Sequence, residues 1–201
     1  MFRAWLNRTR RRLWRVMFFR MLFGERAGDG RALPLTRIGA TTCIEHEERF
    51  TLADDVFIGH FNFIEASHGV RIDAGTQVTN YVSIVTHSSH RSQRLMGQAY
   101  AAGAAQPLPG MIAGPVHIGA YCFIGPHSVI EANTRLGKGC IVASHSRVRG
   151  EFADFSMIAG SPAQRTGDTR DADAAWLERH PEWRAAYEAW AGSATPAPRR
   201  E

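Results

Sequence analysis

An aliphatic residue recurs at every sixth position over a long stretch of this 201-residue chain. The repeat is most regular late in the sequence, at Ile112, Ile118, Ile124, Ile130, Leu136, Val142 and Val148. A six-residue period matches neither the helical turn of about 3.6 residues nor a heptad, and several units carry a glycine, which is costly inside helices. Short β-segments separated by corners fit the period, with the aliphatic side chain pointing inward. The repeat therefore predicts an all-β solenoid of triangular coils.

The same repeat begins earlier, less regularly, and is interrupted once. Its early members are Ile38, Ile44, Leu52, Ile58, Ile64, Ile72, Val78 and Ile84. Two of these spacings are longer than the rest and predict wider corners. The repeat stops after Ile84 and resumes at Ile112, so we expect a loop over about residues 88–111 to leave one face of the solenoid. We place the solenoid at residues 36–163 and expect Cys122 and Cys140, three units apart, to stack inside adjacent coils.

The two ends of the chain differ from the repeats. Residues 1–35 form a basic amphipathic segment, in which arginines interrupt every apolar run and so argue against a cleavable signal peptide. We expect residues 1–24 either to contact an anionic membrane surface or to pack on a partner subunit. Residues 164–201 should contain a polar linker, a short helix over 173–191 and a disordered tail.

Charge and cysteine content narrow the class of protein. The net charge of +5 is concentrated near the N-terminus, which argues against a nucleic-acid footprint over the whole body. Cys43, Cys122 and Cys140 are widely spaced, so neither a disulfide framework nor a metal site is expected. A reducing compartment follows, and we expect a cytoplasmic protein that is peripheral at the inner face of the membrane if residues 1–24 bind lipid.

The hexad repeats, the histidine-bearing loop and the closing segment Ile158–Gln164 together resemble the left-handed β-helix, hexapeptide-repeat acyltransferases. Within that family the chain is most similar to the O-acetyltransferases of sugars and polysaccharides. The resemblance covers about residues 38–165. It implies a left-handed parallel β-helix, acetyl-CoA as co-substrate, a glycan acceptor and a homotrimer with active sites between subunits.

Direct transfer of an acetyl group from a thioester to a hydroxyl needs a base, and a neutral imidazole suits this role. Two histidines at the start of the loop, His87 and His90, are candidates. By the resemblance, the base follows the last regular aliphatic residue, Ile84, by about five positions, which favours His90. The Thr86-His87 pair also occurs in related enzymes, so His87 remains the alternative.

The resemblance further implies residues for acceptor and donor. Asn62 and Glu65 would bind or support the acceptor. The positions that match the coenzyme A contacts of the family are Phe123, Pro126, His127, Ser144, His145, Arg149, Gln164 and Arg165. From their spacing, His127 and His145 should stack along one edge of the solenoid, and His87 should join them if Ile84 and Ile112 begin consecutive units.

The sequence thus favours an acetyl-CoA-dependent O-acetyltransferase of a polysaccharide, lipopolysaccharide or related glycan. An N-acetyltransferase of an amino sugar uses the same base chemistry and stays open. A metal-dependent hydrolyase would need three converging histidines, for which His87, His90 and His117 are available. A non-catalytic β-helix scaffold is the remaining alternative.

Overall fold

A computed structural model describes residues 2–103 and 107–192. Its strands are β1 (Met21–Leu22), β2 (Glu25–Arg26), β3 (Ala32–Leu33), β4 (Arg37–Gly39), β5 (Cys43–Glu45), β6 (Phe50–Leu52), β7 (Phe57–Ile58), β8 (Phe63–Glu65), β9 (Val70–Ile72), β10 (Gln77–Val78), β11 (Ser83–Val85), β12 (His87–Ser88), β13 (Ile112–Ala113), β14 (Val116–Ile118), β15 (Phe123–Ile124), β16 (Val129–Ile130), β17 (Arg135–Leu136), β18 (Ile141–Val142), β19 (Arg147–Val148), β20 (Glu151–Phe152), β21 (Ser156–Gly160) and β22 (Ala163–Asp168). The helices are α1 (Phe2–Phe18), α2 (His90–Met96), α3 (Gln98–Ala101), α4 (Thr169–Arg179) and α5 (Arg184–Ala191).

The repeats wind into a prism with three parallel sheets as its faces. The first face contains β4, β7, β10, β15, β18 and β21; the second contains β5, β8, β11, β16 and β19; the third contains β6, β9, β14, β17 and β20. We call the edge between the first and second faces the first corner, that between the second and third the second corner, and that between the third and first the third corner. Antiparallel β1 and β22 close the two ends of the first face.

The aliphatic residues of the repeat stack in three columns inside the prism. On the second face, for example, Ile64, Ile84, Ile130 and Val148 lie in register, and each is fully buried. Burying each such side chain stabilises the fold by about 1.5–3 kcal/mol. Cys122 and Cys140 occupy neighbouring interior positions, as predicted, because β15 pairs with β18. The six-residue repeat therefore forms the core, with its aliphatic members inward.

The regular coil resumes later than the repeat suggested. Ile112 is not an interior rung, since it pairs antiparallel with Ser88 at the neck of the loop. The next coil starts at Val116, which pairs with Val70 on the third face. The aliphatic spacing could not reveal this, because Ile112 falls in phase with the later units although its backbone runs in the loop.

The C-terminal segment also differs from its prediction. Residues 163–168 form β22 rather than a linker, because their backbone pairs with β21. The expected single helix is two helices, since Pro181 lacks an amide hydrogen and the chain turns through a short 3₁₀ segment before α5. The predicted disordered tail lies outside the described residues.

Candidate active site at the second corner

The histidine-bearing loop leaves the solenoid at the second corner. β11 ends at Val85, and the chain turns outward through β12, whose partner β13 brings it back. Between these strands, α2 and α3 cover the described part of the loop. His87 therefore lies on the neck of the loop, held by strand pairing with Ala113, whereas His90 begins α2.

Glu65 ends β8, directly beside Val85 of β11, and its carboxylate faces the neck. The Nδ1 atom of His87 lies 2.9 Å from Oε2 of Glu65. A carboxylate only accepts hydrogen bonds, so Nδ1 carries the proton and Nε2 keeps its lone pair. The imidazole is 38% exposed while the Glu65 side chain is 6% exposed, so Nε2 is the nitrogen available to a reactant.

The Glu65 carboxylate is held ionised by hydrogen bonds. Burial raises the pKa of this carboxyl, but donors from Ser67 and Thr86 outweigh burial and lower the pKa to about 2. The backbone amide of Ser67 donates over 2.8 Å, and the Thr86 hydroxyl donates over 2.7 Å. Ser67 lies in the wider corner between β8 and β9, so the extra residues predicted there form a wall of the site. The arrangement fixes both the tautomer and the orientation of His87.

His90 has a different environment. Its Nδ1 atom contacts the Ser88 hydroxyl at 2.7 Å, and the residue is exposed at the start of α2. No carboxylate pairs with His90 within the described ranges. Of the two candidate bases, the fold brings only His87 into contact with Glu65.

Asn62 lies at the opposite end of β8 from Glu65. Its side chain is almost fully buried, and Oδ1 accepts from the backbone amide of Val82 at 2.7 Å. Its Nδ2 atom has no hydrogen-bond partner in the part of the chain that the structure describes. Within one subunit Asn62 therefore supports the first corner, and the two predicted acceptor residues are apart.

Most of the predicted coenzyme A residues lie along the first corner. His127 and His145 stack with ring centroids 5.0 Å apart, as predicted, and Tyr81 stacks above His127 at 4.9 Å. The exposed ring of Phe123 precedes this corner on β15, followed by Pro126, and Ser144 precedes His145. Gln164 and Arg165 lie on β22, next to the strand that continues this edge.

Two residues depart from this edge. His87 does not join the stack of His127 and His145, because Ser83 pairs with Val129 and so places Tyr81, not His87, above His127. Arg149 follows β19 and lies at the second corner. The extended chain from Tyr81 to His87 spans roughly 20 Å, so in one subunit the base and the predicted donor residues occupy different corners.

Metal ligands and thiol nucleophiles do not assemble here. In residues 2–103 and 107–192, no group of three His, Cys, Asp or Glu side chains could hold a metal ion. His117 instead pairs with Asp73 on the third face, at 2.7 Å from its Nε2 atom. The neighbouring Cys140 thiol and burial raise the pKa of Cys122, so this interior cysteine stays protonated.

Comparisons with known proteins agree with this geometry. Residues 112–150 match the family model of the bacterial transferase hexapeptide (six repeats). The repeats of this chain are bacterial transferase hexapeptides. The chain is also 28% identical over 123 residues to the "Probable acetyltransferase Rv3034c" of Mycobacterium tuberculosis, a match that covers 59% of this chain and 37% of that protein.

Solved structures share the architecture. AntD, an N-acyltransferase from Bacillus cereus in complex with dTDP and coenzyme A, aligns with a TM-score of 0.56 at 15% identity, covering 73% of this chain and 88% of that one. A hexapeptide-repeat acetyltransferase from Vibrio cholerae complexed with acetyl-CoA gives 0.52 at 18% identity, covering 64% and 68%. A galactoside acetyltransferase in complex with coenzyme A gives 0.52 at 17% identity, covering 66% and 62%. The predicted left-handed hexapeptide β-helix, with its extruded loop and terminal helices, is confirmed.

Proposed function

We propose that this hexapeptide-repeat protein is an acetyl-CoA-dependent O-acetyltransferase of a glycan hydroxyl, with His87 as the general base. The observation that carries the proposal is the contact between His87 Nδ1 and the buried Glu65 carboxylate. This pair leaves a basic Nε2 at an open corner of a fold shared with acetyltransferases. The sequence had favoured His90; the Glu65 contact favours its alternative.

The reaction follows from this arrangement. The acceptor hydroxyl gives its proton to Nε2 of His87 as its oxygen attacks the thioester carbonyl. The new ester forms as the carbon–sulfur bond breaks, and the coenzyme A thiolate takes the proton back from the imidazolium. The Glu65 carboxylate stabilises the imidazolium through the transfer. No acyl-enzyme forms, which accords with the interior position of Cys122 and Cys140.

Thiol release from acetyl-CoA tests the proposal. The wild-type protein is incubated with a panel of polysaccharide, lipopolysaccharide and amino-sugar acceptors, and free thiol and acetylated product are measured. His87→Ala should lower kcat by about 10²–10⁴-fold, the usual contribution of a general base. The matched variant His90→Ala should stay within a few-fold of wild type. A loss confined to His90→Ala, or no turnover with any acceptor, contradicts the proposal; turnover of amino sugars alone supports N-acetylation.

The donor site needs a second copy of the chain. The predicted coenzyme A residues of the first corner lie roughly 20 Å from His87 within one subunit. A homotrimer that brings the first corner of one subunit to the second corner of its neighbour joins the two sets. The outward-facing apolar residues Phe57, Phe123, Ile141 and Met157, in register along the first face, would contact the neighbour. Light scattering should give three times the 22.3-kDa chain mass; a monomer that acetylates glycans at full rate contradicts this assembly.

The N-terminal helix supports attachment at the inner face of an anionic membrane. α1 buries no side chain against the described part of the chain, although Phe19 after it stacks on His60 at 3.9 Å. One apolar stripe of α1 is exposed and flanked by arginines; it contains Phe2, Trp5, Leu6, Leu13, Val16 and Met17. None of the helices in residues 2–103 and 107–192 has the length and hydropathy needed to cross a membrane.

Vesicle sedimentation tests this attachment. Wild-type protein should bind phosphatidylglycerol vesicles and be released by salt, since arginine attraction to lipid is screened. Leu13→Glu with Val16→Glu should abolish binding without changing acetyl transfer to a soluble acceptor. Unchanged sedimentation of this double variant contradicts membrane binding through α1.

A further inference from the structure

An aromatic cavity lies at the third corner, away from His87. Its volume is about 490 Å³, and it opens between α4, α5 and the coil. Its lining residues are Tyr121, Asp173, Trp176, Leu177, Trp183, Ala186, Tyr187 and Trp190. A concave site of this volume lies in the usual range for small-ligand pockets, from about 300 to 1,000 Å³.

Trp190 fixes the cavity wall to the solenoid. Its indole stacks on Tyr121 with ring centroids 4.3 Å apart and lies over Gly139, where an added Cβ would meet the indole at 3.2 Å. The Lys138 ammonium donates to the carbonyl of Ala191 at 2.8 Å, which anchors the C-terminal end of α5. The cavity is therefore a formed site held by the coil, not a gap beside a loose helix.

Two tryptophans at the mouth have free surface, because Trp176 is 44% exposed and Trp183 is 57% exposed. Deeper in the cavity, the Tyr187 hydroxyl is enclosed and has no partner at hydrogen-bonding geometry among the described residues. The Asp173 carboxylate lies beside this hydroxyl, and burial raises the pKa of Tyr187 to about 12. Flat apolar rings thus surround one acceptor and one unused donor.

This combination matches a pyranose ring. The C–H groups of a sugar pack on flat indole and phenol faces, while its hydroxyls can donate to a carboxylate and accept from a phenol. We infer that the aromatic cavity is a glycan-binding subsite that holds part of a polymeric acceptor remote from the transfer site. The inference deepens the proposed function, on which it rests, by making the acceptor an extended chain.

The surface between the two sites is polar. Ala113, which pairs with His87, is eight residues before Tyr121, so at about 3.3 Å per residue the sites are at most roughly 25 Å apart in one subunit. The third face between them presents Arg71, His117 and Arg135 outward and in register. A glycan crossing this face meets hydrogen-bonding groups along its path.

Binding without acetyl-CoA tests the subsite separately from the activity. Cellohexaose, maltohexaose and chitohexaose are titrated into the full-length protein, with saturation-transfer NMR and tryptophan fluorescence as readouts. At least one hexamer should bind with a low-millimolar or tighter Kd. Trp183→Ala, at an exposed position, should weaken binding at least about tenfold, as truncation of an aromatic anchor does. Trp5→Ala removes an exposed tryptophan from α1 and should leave the Kd unchanged.

Tyr187→Phe keeps the ring and should weaken binding a few-fold by removing the unused donor. The inference is overturned if no hexamer binds at low-millimolar concentration, or if Trp183→Ala binds like wild type. It is equally overturned if tetramethylammonium occupies the cavity while the hexamers do not, which would show a cation site. Protection of Trp183 from acrylamide quenching in the assembled protein would show that another copy covers the cavity, and would also overturn it. Acetyl transfer in the absence of hexamer binding leaves the proposed function standing and removes only the subsite.

Discussion

Replacing Glu65 by glutamine removes a buried charge and keeps the side-chain size, so its effect on stability can be calculated. Hydrogen bonds from Ser67 and Thr86 lower the pKa of the folded carboxyl to about 2, from an ordinary value of 4.5. At about 1.4 kcal/mol for each tenfold change in proton affinity, this difference corresponds to about 3 kcal/mol. The group is almost fully buried, so solvent screening is small.

The sign follows from proton binding. Because the folded carboxyl has the lower pKa, the unfolded chain binds more protons between the two values. The stabilisation from ionised Glu65 is therefore complete above about pH 5 and is lost as the pH falls toward 2. The free energy of unfolding of wild type minus that of Glu65→Gln should fall by about 3 kcal/mol over this window. Other carboxyls with lowered pKa values, such as Asp73 and Asp168, cancel because both proteins contain them.

Urea unfolding followed by far-UV circular dichroism, at matched protein concentration and a series of pH values, measures this difference. Glu131→Gln is the control, since Glu131 is an exposed-side carboxylate paired with Arg147 at 3.3 Å and should give a curve parallel to wild type. If the wild-type and Glu65→Gln curves run parallel between pH 5 and pH 2, the Glu65 carboxylate is not held as described.

Three further substitutions test the site and the coil. Thr86→Val removes the hydroxyl that donates to Glu65 at 2.7 Å and should cost about 1–3 kcal/mol in urea unfolding; no change would refute that bond. Gly125→Ala places a Cβ 2.6 Å from the backbone nitrogen of Ser144 in the next coil and should lower the melting temperature by several degrees. Ile130→Ala should cost about 2–5 kcal/mol, and a loss under 1 kcal/mol would contradict its fully buried position.

The core was predictable because only one arrangement places every sixth residue inward. The spacing alone located the interior columns and the adjacent positions of Cys122 and Cys140, since parallel coils repeat the same side-chain direction. The loop followed from the break in the repeat. Ile112 misled the prediction because it shares the spacing but pairs with Ser88 at the loop neck.

The choice between His87 and His90 could not be made from spacing. It depends on Glu65, which strand register brings beside Val85 across one full coil. The wider corner after β8 changes the count of residues per coil, so sequence distance alone does not show which side chains meet. The same register places Tyr81 above His127.

The aromatic cavity was also missed, although its residues were visible in the sequence. The segment from Trp176 to Trp190 was treated as one helix, on which these rings would point in different directions. Pro181 was the available signal, since proline ends a helix and permits the turn that folds α5 back toward α4. The position of Trp190 over Gly139 depends on tertiary packing, which has no local signal.

A crystal structure with coenzyme A bound would test the central claim most directly. The distance from the coenzyme A sulfur to each imidazole nitrogen is the quantity to measure. The account predicts that Nε2 of His87 is the nearest, with the sulfur lying between the second corner of one subunit and the first corner of its neighbour. A sulfur nearest to His90, or remote from both histidines, would contradict the account.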